Sequence, residues 1–449
     1  MRKAFLLLSC LAVVVISGCH GESNFPEATG KGSIRAINAI RTSPTMVVLI
    51  EERRLDNVAF KASTRIASQD DLEYIFNIEA RLAGDIVNTR VASHLLDVVK
   101  DTDYTLLISG ALAAPDITVW ELPFREWNGS ETVFEMRFAH AAGSLGNIDV
   151  YLSAPGIAPI LGNEVGTLSF GEVLPVADFE TGEYVVIYTT AGDPSIVHFE
   201  SDTFPLIPQT STLLAIFDSD ANDSGPWSVR GYFAGGGTAI VSPVNATSTA
   251  RFFHASTALI TADIFNDETL MAPPIVTNHA FGDVTDDLDL PSGMNLLLYR
   301  DSTNTGAPLL DGQVTVFDTA HKNVYAVGDV DSLQTIEDFP DRRSVETLAK
   351  FSVLNSAINH PSVDFYIVQN GADIADENPA LARITVGSLP EFTTLQEGNF
   401  EMYVTTFAEK TVITGPIPLD SMLGDVFEYV IYDNVLDPMT ADLVLIPLP

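Results

Sequence analysis

A short pattern returns four times along this chain, and such a recurrence constrains the fold more tightly than composition can. It opens as Arg35-Ala36-Ile37-Asn38-Ala39, Arg137-Phe138-Ala139-His140-Ala141, Arg251-Phe252-Phe253-His254-Ala255 and Ser352-Val353-Leu354-Asn355-Ser356. At one common offset beyond the polar fourth position stand Val47, Asp149, Asp263 and Asp364, the three aspartates each leading an apolar run. Glycine pairs of constant separation follow: Gly171 and Gly182, Gly282 and Gly293, Gly387 and Gly398. The first copy lacks both glycines, yet Phe60-Lys61 falls in register with Phe170-Gly171 and Leu72-Glu73-Tyr74 with Gly182-Glu183-Tyr184. The spacing predicts four homologous domains of roughly 100 residues, an ordinary domain size. Their expected limits are 33–127, 133–245, 248–343 and 348–449.

Within each copy the local pattern is β. Runs such as Ile117–Leu122, Glu183–Tyr188 and Asn399–Val404 are short and rich in β-branched and aromatic residues, with turn clusters such as Ala191-Gly192-Asp193-Pro194 between them. Gly182, Gly293 and Gly398 precede strands, where a hairpin turn with positive φ is expected. Ser68–Leu82 comes nearest to a helix, but its alignment with the Glu183 strand argues for β. Seven or so short strands per copy predict an all-β chain of four tandem immunoglobulin-like β-sandwiches. A rod or arc of four such units is the simplest arrangement.

These features together resemble the family known as domain of unknown function 4397. The resemblance rests on the basic residue, apolar pair, His or Asn and Ala, then the Asp, then the paired glycines, and it is clearest from about Met136 to the C-terminus. It implies a sandwich fold and a place in tandem arrays on secreted or lipid-anchored bacterial proteins. It brings no activity with it.

The N-terminus supplies an address. Residues 1–19 read MRKAFLLLSCLAVVVISGC, with Arg2 and Lys3 ahead of an apolar stretch from Ala4 to Ile16. That stretch is too short to remain as a membrane span, and it fits a cleaved signal peptide over residues 1–18. The ending Ile16-Ser17-Gly18-Cys19 resembles the lipobox of bacterial lipoproteins, which implies that Cys19 is acylated and becomes the first mature residue. Acyl chains would then supply the membrane affinity, at about 0.8 kcal/mol per buried methylene. Cys10 lies in the removed segment, so no free thiol would remain. Residues 19–32 read as a lipidated tether, and by analogy His20 after the cysteine directs such a protein to the outer membrane, on its periplasmic face or at the cell surface.

Charge excludes one class of partner. With 60 acidic against 23 basic residues, the chain carries a net charge of −37 and repels phosphate backbones. Nucleic acid is therefore not expected as a ligand.

Candidate chemistry is sparse. His140 and His254 beside Asp149 and Asp263 invite a catalytic reading, but the same position is Asn38 and Asn355 in the other copies. Asparagine is no base, whereas it matches histidine as a donor and acceptor for nearby backbone. A strand-end hydrogen-bonding role accounts for all four, so no catalytic residue is assigned. No G-x-S-x-G or H-E-x-x-H motif occurs. Asp218, Asp220 and Asp223 in one acidic loop, and Asp283, Asp286, Asp287 and Asp289 in another, offer hard oxygen ligands of the kind calcium takes. The first departs from the EF-hand pattern at Asp223 and Val229, and solvated acidic turns are the simpler reading; no cofactor beyond a weak calcium candidate is expected. Trp120, Trp127 and Trp227 could form a stacking platform for sugars or pack between domains.

The expectation is a non-enzymatic cell-envelope lipoprotein, a multi-domain scaffold or adhesion module whose partners are the membrane, through Cys19, and an envelope protein or glycan. The alternative is an envelope hydrolase or glycan-processing enzyme with its site between repeats. A deep pocket collecting His140 or His254 with two carboxylates would mark the second.

Overall fold

The computed structural model describes residues 27–446 apart from 224, 258, 268–269, 304–309, 318, 320, 330 and 389–391. The signal peptide 1–18, Cys19 and the tether as far as residue 26 lie outside the described residues. Among the described residues all regular structure is strand.

The first eight strands are β1 (Lys31–Asn38), β2 (Met46–Ile50), β3 (Arg53–Val58), β4 (Ala67–Asp70), β5 (Glu73–Ala80), β6 (Thr89–Asp97), β7 (Thr102–Ala111) and β8 (Ala114–Pro123). They form two sheets, ordered β4-β1-β7-β8 and β3-β2-β5-β6. The second is antiparallel throughout, while the first has a parallel pair at its centre, with Arg35 opposite Thr105 and Ile37 opposite Leu107. No hairpin can join parallel neighbours, so the chain crosses to the other sheet between β1 and β7. The two sheets close on one core, in which Ile34 and Ala36 meet Met46, Val48, Phe76 and Ile78.

The same order recurs in the next three stretches of chain. The parallel central pairs there are Val133–Ala141 with Ser211–Asp218, Ser248–Ser256 with His321–Gly328, and Ala349–Asn355 with Val426–Asp433. Ser68–Leu82 is accordingly extended, as β4 and β5. The second stretch carries two additions: Phe204–Leu206 pairs with Gly182–Thr190, and Thr238–Val241 extends the other sheet beyond Trp227–Phe233.

The sheets with the parallel pair are buried on both faces. In β1, Ile34 and Ala36 face the unit's own core, whereas Ile37 joins Trp120, Ala139, Ala141, Ala215, Phe217 and Tyr232 in a cluster shared between the first and second units. Phe253, Tyr325, Leu354, Val430 and Ile446 join the third and fourth units in the same way. Each fully buried aromatic or aliphatic side chain is worth about 1.5–3 kcal/mol, so these seams hold the units in pairs.

A straight rod does not form, because units that are not neighbours in the chain touch. The segment linking the third and fourth units reaches all the others. Arg342 ion-pairs with Asp287 at 3.1 Å, its backbone N–H donates to Asn222 at 2.8 Å, and Arg343 donates to the carbonyls of Arg41 and Ser43. Arg81 of the first unit also donates to Thr394 of the fourth, at 3.2 Å. A linker that buries two arginines needs acceptors on several sides, and it finds them by drawing the ends of the chain together.

Candidate functional site

The repeated polar position sits at the end of each central strand, and its bonding is alike in all four. Oδ1 of Asn38 and Asn355 accepts the N–H of Ile40 and Ala357 at 2.9 and 3.0 Å. Nδ1 of His140 and His254 accepts the N–H of Ala142 and Ser256, both at 3.3 Å. The remaining side-chain nitrogen donates where the bond is seen: Asn38 to Ser43 and His140 to Gly146, at 2.9 Å for the latter, in the following loop, and Asn355 to the carbonyls of His360 in that loop and of Ile384 in an edge strand. That network sets the Nε2–H tautomer of His140 and leaves neither ring nitrogen free for proton transfer. Burial lowers the pKa of both histidines, that of His254 to about 4 with the neighbouring His279 adding to the effect.

The first glycine of each pair completes this corner. The N–H groups of Gly171, Gly282 and Gly387 donate to the carbonyls of His140, His254 and Asn355 at 2.7–2.8 Å, and all three have φ between 79 and 85°. Lys61 does the same toward Asn38 at 2.8 Å, with φ 62°, so the first copy keeps the left-handed turn without the glycine. The second glycines meet the expectation only in part. Gly293 has φ 103° and Gly398 157°, but Gly182 is not among the positive-φ glycines. The conformational demand falls on the first glycine, where the chain must turn back onto the strand end.

Asp149, Asp263 and Asp364 also share one task. Each fastens a neighbouring edge strand and a hairpin turn to its own strand. Asp149 accepts from Thr167 Oγ1 and Gly192 N–H, Asp263 from Asn278 N–H and Ser302 Oγ, and Asp364 from Arg383 N–H and Ala408 N–H. None of these bonds joins an aspartate to His140 or His254.

The acidic loop reads differently once its neighbours are seen. Lys61 of the first unit enters it, ion-paired with Asp220 at 3.2 Å and with Asp223, and all three side chains are less than a tenth exposed. Arg230 approaches Asp223 at 3.5 Å, and Asp218 accepts from Ser144. Asp220 and Asp223 thus meet cations of the chain itself, where solvated turns were the simpler expectation and calcium the weak candidate. In the second loop Asp287 pairs with Arg251 and Arg342. Among the described residues no group of three or more His, Cys, Asp or Glu side chains is placed to hold a metal.

The three tryptophans do not form one platform. Trp120 is buried in the seam and donates to the Gly171 carbonyl at 2.9 Å, while Trp227 packs on the second unit's core. Trp127 stands in a cleft of about 460 Å³ between the first two units, with the Arg125 guanidinium 4.0 Å from its ring centre. Phe124, 59% exposed, and Phe233, 40% exposed, share this cleft with Asp103, Glu135, Gln209 and Ser211. Burial raises the pKa of Asp103.

Two further cavities adjoin it. One of about 440 Å³, sharing Thr210 and Phe233, is apolar and lined by Phe134, Met136, Leu206, Leu214 and Ile240. Two of its walls are the strands that the second unit adds, Phe204–Leu206 and Thr238–Val241. The other, of about 40 Å³, lies in the seam between Arg35 and Arg137 and shares Asp103 and Ser211 with the cleft. Neither His140 nor His254 lines any of the three. Arg35, Asp103 and Arg137 gave no signal as site residues in the sequence. The one hint was the basic residue that opens the repeated pattern.

No curated protein matches the chain. Among solved structures, the Bacillus anthracis TIE protein is similar at 8% identity over 90% of this chain and 69% of that one, with a TM-score of 0.15, too low to relate the two folds. Residues 248–366, the third unit and the first strands of the fourth, match the family described as domain of unknown function (DUF4397), so this segment is a DUF4397 region.

Proposed function

We propose that this chain is a lipid-anchored protein of the bacterial cell envelope, built from four tandem immunoglobulin-like repeats, that binds a glycan or envelope protein without catalysing a reaction on it. The observation that carries the reading is the cleft between the first two units. Solvent-exposed Phe124 and Phe233 and half-buried Trp127 line it beside Gln209 and Ser211, and it continues into the apolar cavity of the second unit. Flat apolar faces interleaved with a few fixed polar groups are what a binding cleft presents. A sugar ring, with apolar C–H faces and peripheral hydroxyls, suits that pattern. The rest of the molecule serves as a scaffold for the cleft.

Two measurements test this. A glycan array and an envelope-extract pull-down, run with wild type and with Trp127→Ala/Phe124→Ala, should show a ligand whose capture falls at least tenfold in the double variant, a loss typical of removing aromatic anchors. Capture unaffected by the double change would remove the cleft from the reading. Cys19→Ala should leave the protein as an unprocessed precursor or release it from the membrane fraction; wild-type processing and retention would sink the anchor.

A further inference from the structure

The two pairs of units are built on the same ladder register, and this allows their seams to be compared position by position. In the second pair Arg251 lies opposite Asn323 and Ser352 opposite Glu428. In the first pair Arg35 lies opposite Thr105 and Arg137 opposite Leu213. The second seam is filled from within: the buried Glu428 carboxylate accepts from Asn323 Nδ2 at 2.7 and 2.8 Å and from the Tyr325 hydroxyl, and although burial raises its pKa, these bonds and then Arg342 and Arg251 oppose that rise.

The first seam has no such filling. At the position of Glu428 it carries Leu213, and at that of Ser352 it carries a second arginine. Arg35 donates to Thr105 Oγ1 at 3.0 Å and to the Phe233 carbonyl at 3.1 Å, and Arg137 to the Leu174 carbonyl at 3.3 Å. Among the described residues neither arginine has a carboxylate within 4.0 Å. The nearby acids act on them only through space: Asp103, bonded to Ser33, favours the charge of Arg35, and Glu135, which accepts from Ser211 at 2.8 Å and from Arg125 at 3.3 Å, favours that of Arg137. In a chain with 60 acidic residues, two guanidinium groups facing one cavity with no carboxylate in direct contact need an explanation. A half-buried guanidinium gains most from a bidentate anion.

We infer that Arg35 and Arg137 form a carboxylate-binding subsite for an acidic sugar, whose ring lies in the adjoining Trp127 cleft. The seam cavity, at about 40 Å³, has room for a carboxylate and not for a ring, while the cleft, at about 460 Å³, has room for the ring. Thr212 supplies a buried hydroxyl that has no partner among the described residues, whereas those of Ser33 and Ser211 already donate to Asp103 and Glu135. This rests on the cleft being a binding site, and it specifies the class of ligand that the cleft takes.

The test compares a galacturonic acid trimer with its methyl ester by calorimetry on the full chain. The acid should bind wild type at least tenfold more tightly than the ester, the scale of one charge-assisted hydrogen-bond pair. Arg35→Gln and Arg137→Gln should each remove that preference, so that acid and ester bind the variant equally. Leu213→Glu places a carboxylate where the second pair has Glu428, so it should abolish acid binding with both arginines in place and the thermal transition kept. Acid and ester bound equally by wild type would overturn the subsite while the cleft stands. Neither bound, together with a blank glycan array, would overturn both. The comparison on wild type needs no substitution, so a misfolded variant cannot hide a negative result.

Discussion

At the scale of single residues, the repeated His or Asn shows how one hydrogen-bonding task admits two side chains. Both offer an acceptor to the N–H two residues on, so His254→Asn should cost little, whereas His254→Leu leaves that N–H buried and unpaired at about 1–3 kcal/mol. The histidine adds a pH dependence that asparagine lacks. Its folded pKa of about 4 lies below the ordinary value of 6.5, so between those values the unfolded chain binds the proton more readily. Stability therefore falls as pH drops from about 6.5 to about 4, by about 2–3 kcal/mol in all. Denaturant titrations of wild type and His254→Asn across that window should show the slope in the first and its reduction in the second. The sequence revealed this position because its four occupants share a register. The same register marks Lys61 as the equivalent of the first glycine in copy one, where lysine at φ 62° costs some strain but is allowed.

At the scale of elements, the acidic turn at 218–223 is the informative case. Its spacing of carboxylates looked like a cation site, and a cation does occupy it, supplied by Lys61 from a turn far away in the chain. No local pattern can show this, since the partner is chosen by how the first and second units dock. Lys61→Met should destabilise the first pair by about 3–5 kcal/mol, because Asp220 loses its counter-charge and Asp223 keeps only Arg230, at 3.5 Å. Adding Asp223→Asn to that variant should recover part of the loss in chemical denaturation. A stability for Lys61→Met within error of wild type would show that the turn is solvated after all. Strands were easier to read than this turn. Alternating and β-branched runs such as Glu183–Tyr188 specify extended backbone locally, whereas the pairing of a turn is a tertiary property.

At the scale of the molecule, the seams change how unfolding should proceed. A unit with a private core would melt alone, but clusters running from Ile37 to Tyr232 and from Phe253 to Ile446 tie the units in twos. Arg343 then ties pair to pair through the carbonyls of Arg41 and Ser43. Arg343→Ala should therefore lower the cooperativity of the whole and resolve two calorimetric transitions, one per pair; four separate transitions, or a single unchanged one, would contradict this arrangement. The sequence by itself determined the strands, the repeated corner and its fourfold recurrence, because these depend on residues near one another in the chain and on the period-two alternation of side chains. The pairing of units, the lysine in the acidic turn and the two arginines of the open seam were decided only by tertiary structure. Burial of a central strand on both faces erases the alternation that would mark an outer surface, and which distant surface covers it depends on shape and charge complementarity across the assembled chain.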